Sequence, residues 1–351
     1  MSYTATKIVQ IFGNTSHKNT LLQAEGKIIP AATRERRGKV SARVWQVQDL
    51  PKIGKHYGWL PNNLEEPVAL SVFSSKGGSY KTTLATTLAR SAALNAIPTC
   101  LVGLDYQMDA TRFFGFDSQI EDNNEDLDLE DLSTQLVEFK GLHDFYSSPT
   151  KTSLSDIIQP VDDFGGMLSI VPESSKLSSL DMQLASQTLR EFWLRDNIIN
   201  PLKERFKLII IDCSPSWNLL TANALAASDL MVSPLECQIN HWRGFTDFQT
   251  YITNFRAKIG LNYPVVYVPT KLDTRRKISS QIHRWYLNEI GPACTTTAIK
   301  NSSKIEEAAA SGLSIFEHAP LAPASTMFRD LTLEIWNYLP AQNPGKQRRD
   351  N

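Results

Sequence analysis

The sequence predicts an α/β fold, a parallel sheet covered by helices on both faces, preceded by a small basic unit at the N-terminus. Three observations predict it. From Pro67 onward, short apolar runs alternate with amphipathic stretches, as strands alternate with covering helices. One of these runs leads into a glycine turn and then a helix. And the first 58 residues carry ten Lys and Arg against three acids, +7, which leaves −8 for the remainder of a chain whose net charge is −1. A basic head on an acidic body suggests a polyanion-binding module joined to something else. A length of 351 residues suits two domains, and 42% hydrophobic residues suffice for a sizeable core.

The expected head covers residues 1–58. In "ATKIVQIFGNTSHKNTLLQAEGKIIPAATRERRGKVSARVW", Ile8, Ile11 and Phe12 make one apolar face of a short helix. "GNTS" reads as a turn, with Thr15 or Ser16 capping a second helix. Leu21 and Leu22 of that helix face a core, and Gly26 ends it. "KIIPAATRERRGKVSARVW" then reads as a two-stranded, arginine-rich wing. A helix–turn–helix of this kind places Lys18 and Asn19 at a major groove, with Arg34, Arg36, Arg37, Lys39 and Arg43 on phosphates. "WLPNNLEE", residues 59–66, reads as a linker.

The body is expected over residues 67–340. "PVALSVF" is its first strand and Lys81–Asn95 its first helix. "TCLVGLD" follows, then "KLIIID" before a helix near Leu219–Ala227. "DLMVSPL" precedes a helix near Trp242–Ile259, and "PVVYVPT" one near Ser279–Ile290. The Leu177–Leu202 region reads as helical. Residues 117–138 hold nine acids and no Lys or Arg, a solvated insertion or a partner-docking element. Residues 341–351 read as a flexible tail. No internal repeat is visible.

The segment "SVFSSKGGSYKTTLATTLARS" carries the chemistry. A strand, a glycine turn and a helix N-terminus gather inward-pointing backbone N–H groups and a positive helix end, which together hold phosphates. Gly77 and Gly78 permit the backbone such a nest needs. Lys81 can reach terminal phosphates and the Thr82 hydroxyl can hold Mg²⁺, while Lys76 adds a second cation. Asp105 and Asp212 end two further strands, where carboxylates face the ligand crevice of a parallel sheet. Asp212 suits a role toward Mg²⁺ through water and Asp105 the orientation of an attacking water.

Cys100, Cys213, Cys237 and Cys294 lie far apart without metal-ligand spacing and read as reduced core thiols of a cytosolic protein. No leader-like or membrane-spanning run is evident, so a cytoplasmic location is expected.

Lys76-Gly-Gly-x-x-Lys81-Thr-Thr resembles the deviant Walker A loop of the ParA/MinD ATPases. "GLDYQMDAT" is similar to the family's "DLDPQ-G-NAT", and "IIIDCSPSWNLLTANALAASD" to its Walker B strand and following switch. "SSKIEEAAASGLSIFEHAP" resembles its late "KLSEAPSFGKPVFEY" segment. The likeness runs from about residue 67 to 339 and favours the ParA branch. It implies the phosphate-loop NTPase fold. It further implies ATP and Mg²⁺ as cofactors, with nucleotide binding by Lys76, Gly77, Gly78, Ser79, Tyr80, Lys81, Thr82 and Thr83. Catalytic roles fall on Lys76, Lys81 and Asp105, and metal roles on Thr82 and Asp212. The branch also implies an ATP-dependent homodimer, non-specific DNA binding, a nucleoid-associated location and a ParB-like activator. Arg275, Arg276, Lys277, Lys300 and Lys304 are candidates for the DNA face.

The N-terminal "G-x-I-P-x-x-x-R" and "R-x-W/Y-x-x-x-D-L" patterns resemble the winged helix–turn–helix of MerR-like regulators, which implies operon autorepression. Three residues depart from the ParA pattern. Tyr80 replaces the glycine before Lys81, Gly103 the first aspartate of "DLD", and Tyr106 its proline. The groups with catalytic roles all survive. The resulting expectation is a ParA-type partitioning ATPase that positions a plasmid or chromosome region. The alternative is a nucleotide-responsive transcriptional regulator with weak or no ATPase activity. A membrane positioner is set aside, since "PAQNPGKQRRDN" offers no apolar face.

Overall fold

The computed structural model describes residues 2–13, 17–37, 40–116, 139–161 and 164–340. Thr15, Ser16, Lys39, the acidic 117–138 segment and the 341–351 tail lie outside the described residues.

The N-terminal unit runs β1 (Ser2–Thr4), α1 (Ala5–Ile11), α2 (Lys18–Ala24), β2 (Thr33–Arg37), β3 (Val40–Gln46) and α3 (Leu50–Tyr57). The Thr4 hydroxyl caps α1 by accepting from the Lys7 backbone N–H at 3.4 Å. The expected two-stranded wing is present as an antiparallel pair, and β1 pairs with the other side of β3 to make a three-stranded sheet. That third strand was not expected, being only three residues long. Ile8, Ile11, Phe12 and Leu21 are buried as expected, while Leu22 is half-buried. The residue at the N-cap of α2 is His17, which makes no side-chain cap bond.

The body continues β4 (Val68–Val72), α4 (Lys81–Leu94), β5 (Thr99–Leu104), α5 (Asp109–Phe113), α6 (Leu142–Ser147), α7 (Leu154–Ile157), β6 (Gln159–Pro160) and β7 (Leu168–Val171). Next come α8 (Leu177–Leu184), α9 (Asn200–Lys203), β8 (Leu208–Cys213), α10 (Leu219–Ala226), β9 (Leu230–Glu236), α11 (Ile239–Lys258), β10 (Val265–Thr270) and α12 (Lys277–Ile290). Three helices close it: α13 (Ser303–Ala310), α14 (Ile315–His318) and α15 (Pro323–Trp336). The sheet has seven strands in the order β10-β9-β4-β8-β5-β7-β6, parallel throughout except for β6. Every residue of β4, β5, β8 and β9 is buried, which is why these strands read as continuous apolar runs rather than as alternations. The C-terminal ends of the central strands β4, β8 and β5 lie side by side and carry the loop, Asp212 and Asp105.

The Leu177–Leu202 region departs from the helix expected of it. After α8 the chain turns through Leu189 in a left-handed conformation, φ +54°. A 3₁₀ turn (Arg190–Phe192) and a π-helical turn (Arg195–Ile199) then lead into α9. Pro201 has no N–H to donate, and the Asn200 N–H bonds back to the Arg195 carbonyl, widening that turn.

The N-terminal unit and the body share one apolar core. Trp45, Leu50 and Ile53 cluster with Leu88, Leu94, Phe316 and Leu331. Two glycines of the N-terminal unit permit the close approach. A Cβ on Gly54 would stand 1.8 Å from the Leu94 carbonyl oxygen, and one on Gly58 2.0 Å from Asn95 Oδ1. The same Asn95 oxygen accepts the Leu60 N–H at 2.9 Å. From α15, Arg329 donates to the Ile11 carbonyl at 3.0 Å. The 59–66 segment, expected as a linker, is itself packed. Leu60 and Leu64 are buried, and the Trp59 ring lies 4.8 Å from that of Phe316. Midway along α4, Arg90 makes a buried two-pronged bond to Glu317, at 2.8 and 2.9 Å, and donates to the Gly312 carbonyl at 2.9 Å. All four cysteines are buried and free.

Candidate functional site

The 73–80 loop runs from the end of β4 to the first turn of α4. Gly78 has φ +71°, and its absent Cβ would sit 3.4 Å from Lys271 Nζ. Tyr80 occupies the N-cap of α4 with φ +69° and ψ 27°, a left-handed backbone that an L-residue adopts at a cost of about 1–2 kcal/mol. The aromatic residue in the glycine position is thus accommodated in the conformation a glycine would take. Its ring does not stand free. It packs against the core and lies under Lys271 Nζ, 5.7 Å from the ring centroid.

Lys81 is buried, and its ammonium donates to the Lys76 carbonyl at 3.2 Å, as does the Ser79 hydroxyl at 3.2 Å. Burial pulls the Lys81 pKa down, while Asp212 and Asp105 oppose this. The Lys76, Gly77 and Gly78 positions are exposed at the mouth. Thr82 and Thr83 are half-buried in the first turn of α4.

Asp105 follows the last residue of β5. Its Oδ1 accepts the Gln107 N–H at 3.1 Å and its carbonyl the Met108 N–H at 3.1 Å, folding a tight turn. Burial raises its pKa, against the Gln107 bond and the Lys81 charge. Asp212 is fully buried, and neither of its carboxylate oxygens closes a well-formed hydrogen bond, the Thr82 hydroxyl standing near but outside bonding geometry. Burial and then the Glu173 charge push its pKa well up, while the neighbouring Thr82 hydroxyl and Lys81 pull it down. A buried carboxylate with two orphaned oxygens is unfavourable alone and fits a cation beside it. Mg²⁺ favours one or two carboxylates together with phosphate oxygens, so Asp212 and Thr82 suit it. Among the described residues, no group of three or more His, Cys, Asp or Glu converges as a metal cage.

The sequence reading missed four residues around the loop. Lys271, after β10, pairs with Glu236 at 2.9 Å, and His241 lies 3.6 Å from the other Glu236 oxygen. Burial lowers the His241 pKa, Glu236 raises it, and the surrounding lysines lower it further. The fourth is Glu173, whose carboxyl is pushed up to about 7 by burial against the Thr111 donors. Lys271 and Glu236 sit at strand ends, a signal that could have marked them.

The expected DNA residues fall in two groups. Lys18 and Asn19 open α2 and are exposed. Arg34 and Arg36 are exposed on β2, and Arg43 faces Arg34 across the ribbon while pairing with Glu25 at 2.9 Å. Arg37 ends β2. In the body, a bridge between Leu272 and Lys300 brings the 273–277 turn beside Lys300. Arg275 is held by Asp273 at 3.0 Å and Lys304 by Glu307 at 2.6 Å, while Arg276 stands at the N-cap position of α12 without a side-chain cap bond. Among the described residues no helix is long and apolar enough to cross a membrane.

A family model described as "AAA domain" matches residues 68–264, more than half of the chain. The chain is 32% identical to the chromosome partitioning protein ParA of Myxococcus xanthus over 61% of its own length and 68% of that protein. It is 25% identical to the sporulation initiation inhibitor protein Soj of Bacillus subtilis, over 76% of this chain and 97% of Soj. The fold is also that of the cobyrinic acid a,c-diamide synthase of Mycobacterium smegmatis, solved with an ATP analogue and magnesium. The two structures share a TM-score of 0.59 and 20% identity over 77% of this chain and 95% of that one.

Proposed function

This chain belongs to the ParA/MinD family of phosphate-loop ATPases, and from that premise we propose that it binds Mg-ATP, hydrolyses it slowly and partitions DNA. The observation that carries the reading is the meeting of Lys81, Asp105 and orphaned Asp212 at the ends of three adjacent strands around one glycine loop.

In this reading the loop N–H groups and the start of α4 receive the phosphates. Lys81 exchanges the Lys76 carbonyl for phosphate oxygens, so a desolvated ammonium gains the anion it lacks. Thr82 and Asp212 would hold Mg²⁺, which supplies charge neutralisation on the phosphates when bound. Asp105, fixed by its own turn, orients the attacking water. Lys76, exposed at the mouth, reaches the nucleotide of a second copy in an ATP-dependent homodimer. Arg275, Arg276, Lys277, Lys300 and Lys304 make the non-specific DNA face, a ParB-like protein stimulates turnover, and the N-terminal unit represses its own operon. The complex is cytoplasmic and nucleoid-associated.

Calorimetry and turnover test this. Lys81→Ala is expected to abolish ATP binding, whereas Asp105→Ala keeps binding and loses turnover by about 10²–10⁴-fold. Folded wild-type protein that binds no ATP at micromolar concentration would sink the proposal. A second reading, a nucleotide-responsive transcriptional regulator, is favoured by the core that the N-terminal unit shares with α4. DNA-stimulated turnover supports partition, and its absence alongside nucleotide-dependent operator binding supports the regulator.

A further inference from the structure

Residue 103 is glycine, and a carboxylate from elsewhere in the chain fills the space its side chain would need. A Cβ on Gly103 would lie 2.3 Å from Glu173 Cδ and 2.5 Å from both Cγ and Oε1 of Glu173. No side chain tolerates such contacts, so any substitution at 103 evicts the Glu173 carboxylate. Gly103 is the register partner of Asp212 on the neighbouring strand β8. Paired residues of a parallel ladder project to the same face of the sheet. The Glu173 carboxylate therefore stands beside Asp212, in the position that residue 103 leaves open. It is delivered from the segment after β7, the strand on the far side of β5.

Each oxygen of Glu173 has a different environment. Oε2 accepts from the Thr111 N–H at 2.8 Å and from the Thr111 hydroxyl, which in turn accepts the Glu173 N–H at 2.8 Å. Thr111 lies in α5, which follows the Asp105 turn, so these reciprocal bonds tie that turn to the end of β7. Oε1 is buried and closes no hydrogen bond, like both oxygens of Asp212. Three orphaned acidic oxygens on neighbouring carboxylates are costly unless a cation or its water meets them.

We infer that Glu173 belongs to the divalent-cation site: the carboxylate absent at position 103 is supplied from the segment after β7, and stands with Asp212 and Thr82 toward the cation of a bound nucleotide. The inference rests on the nucleotide-binding reading above. Two carboxylates and a hydroxyl leave the remaining cation ligands to phosphate oxygens and water, in keeping with Mg²⁺ preferences.

The test uses the full chain, ADP and Mn²⁺, with Mn²⁺ occupancy read by electron paramagnetic resonance. Glu173→Gln keeps the size of the side chain and an oxygen for Thr111, but removes the charge. It is expected to lower Mn²⁺ affinity in the ADP complex by about tenfold or more. The exchange variant Gly103→Asp/Glu173→Ala returns the carboxylate to β5 and is expected to recover most of that loss. Gly103→Asp alone, with both side chains competing for one space, is expected to melt well below wild type. Unchanged Mn²⁺ affinity in Glu173→Gln overturns the inference, as does a Gly103→Asp protein that melts like wild type. Wild-type protein that binds no ADP, with or without Mn²⁺, overturns the nucleotide reading itself and the Glu173 role with it.

Discussion

Replacing Gly54 by alanine adds one methyl group at the seam between α3 and the last turn of α4. The new Cβ would lie 1.8 Å from the Leu94 carbonyl oxygen, 2.8 Å from Phe12 Cε1 and 2.9 Å from the Leu94 carbonyl carbon. The nearest obstacle is backbone at the C-terminal end of α4, so no side-chain rotation relieves it. The helix α3 must instead withdraw by roughly 1.2 Å, separating surfaces that pack at near-crystalline density. Overpacking of this kind costs about 1–3 kcal/mol, and a backbone obstacle argues for the upper end. At about 2 °C per kcal/mol for a chain of this size, melting should fall by about 6 °C. Gly244→Ala is the matched control, because its Cβ would meet nothing within 4 Å on α11. That change should stabilise the protein by about 1 kcal/mol through helix propensity. Differential scanning calorimetry of both variants decides the matter. A Gly54→Ala protein melting with wild type, or two variants shifting in the same direction, would refute the close-packed seam.

Tyr80→Gly should be more stable than Tyr80→Ala by about 1 kcal/mol in urea unfolding, because only glycine takes φ +69° without penalty. Tyr80→Ala as stable as Tyr80→Gly, or more so, would disprove the left-handed cap. Glu317→Gln should cost about 3–5 kcal/mol at neutral pH, since it leaves Arg90 buried without its counter-charge. Burial alone would raise the Glu317 pKa, but Arg90 and the Ser314 donors overcome this and hold it below 4.5. The unfolded chain therefore takes up this proton first on acidification. The stabilisation is complete above the ordinary carboxylate pKa and is lost as pH falls through the lower folded value. Acid titration of stability should show the gap between wild type and Glu317→Gln closing below about pH 4.5, and a constant gap would contradict the pairing.

The strands were legible because doubly covered parallel strands are largely apolar on both faces, and "KLIIID" and "DLMVSPL" carry that signature through Leu208–Ile211 and Leu230–Val232. The loop was legible because its glycines, Lys81 and Thr82 are contiguous in sequence. What escaped depended on contacts between distant residues. The four-residue strand Leu168–Val171 is too short to show a period, and β1 is shorter still. Gly103 was visible as a departure from a pattern, but its reason is Glu173, which only strand order brings beside it. Lys271 and Glu236 pair across β9 and β10, whose adjacency no local pattern announces. The packing of the 59–66 segment was not legible, because the buried faces of Leu60 and Leu64 need α4 and its neighbours to exist.

The four thiols give the fold a reporter of its own. Cys100, Cys237 and Cys294 are pushed up to about 12 by burial, and Cys213 is raised well beyond its ordinary value for the same reason. Thiolate is the reactive species, so a maleimide or disulfide reagent near neutral pH finds almost nothing to attack while the chain stays closed. Because Cys100, Cys213 and Cys237 sit in or just after strands of the main sheet, their labelling times how often that sheet opens. No engineered tag is required, and the slowest thiol marks the last region to come apart.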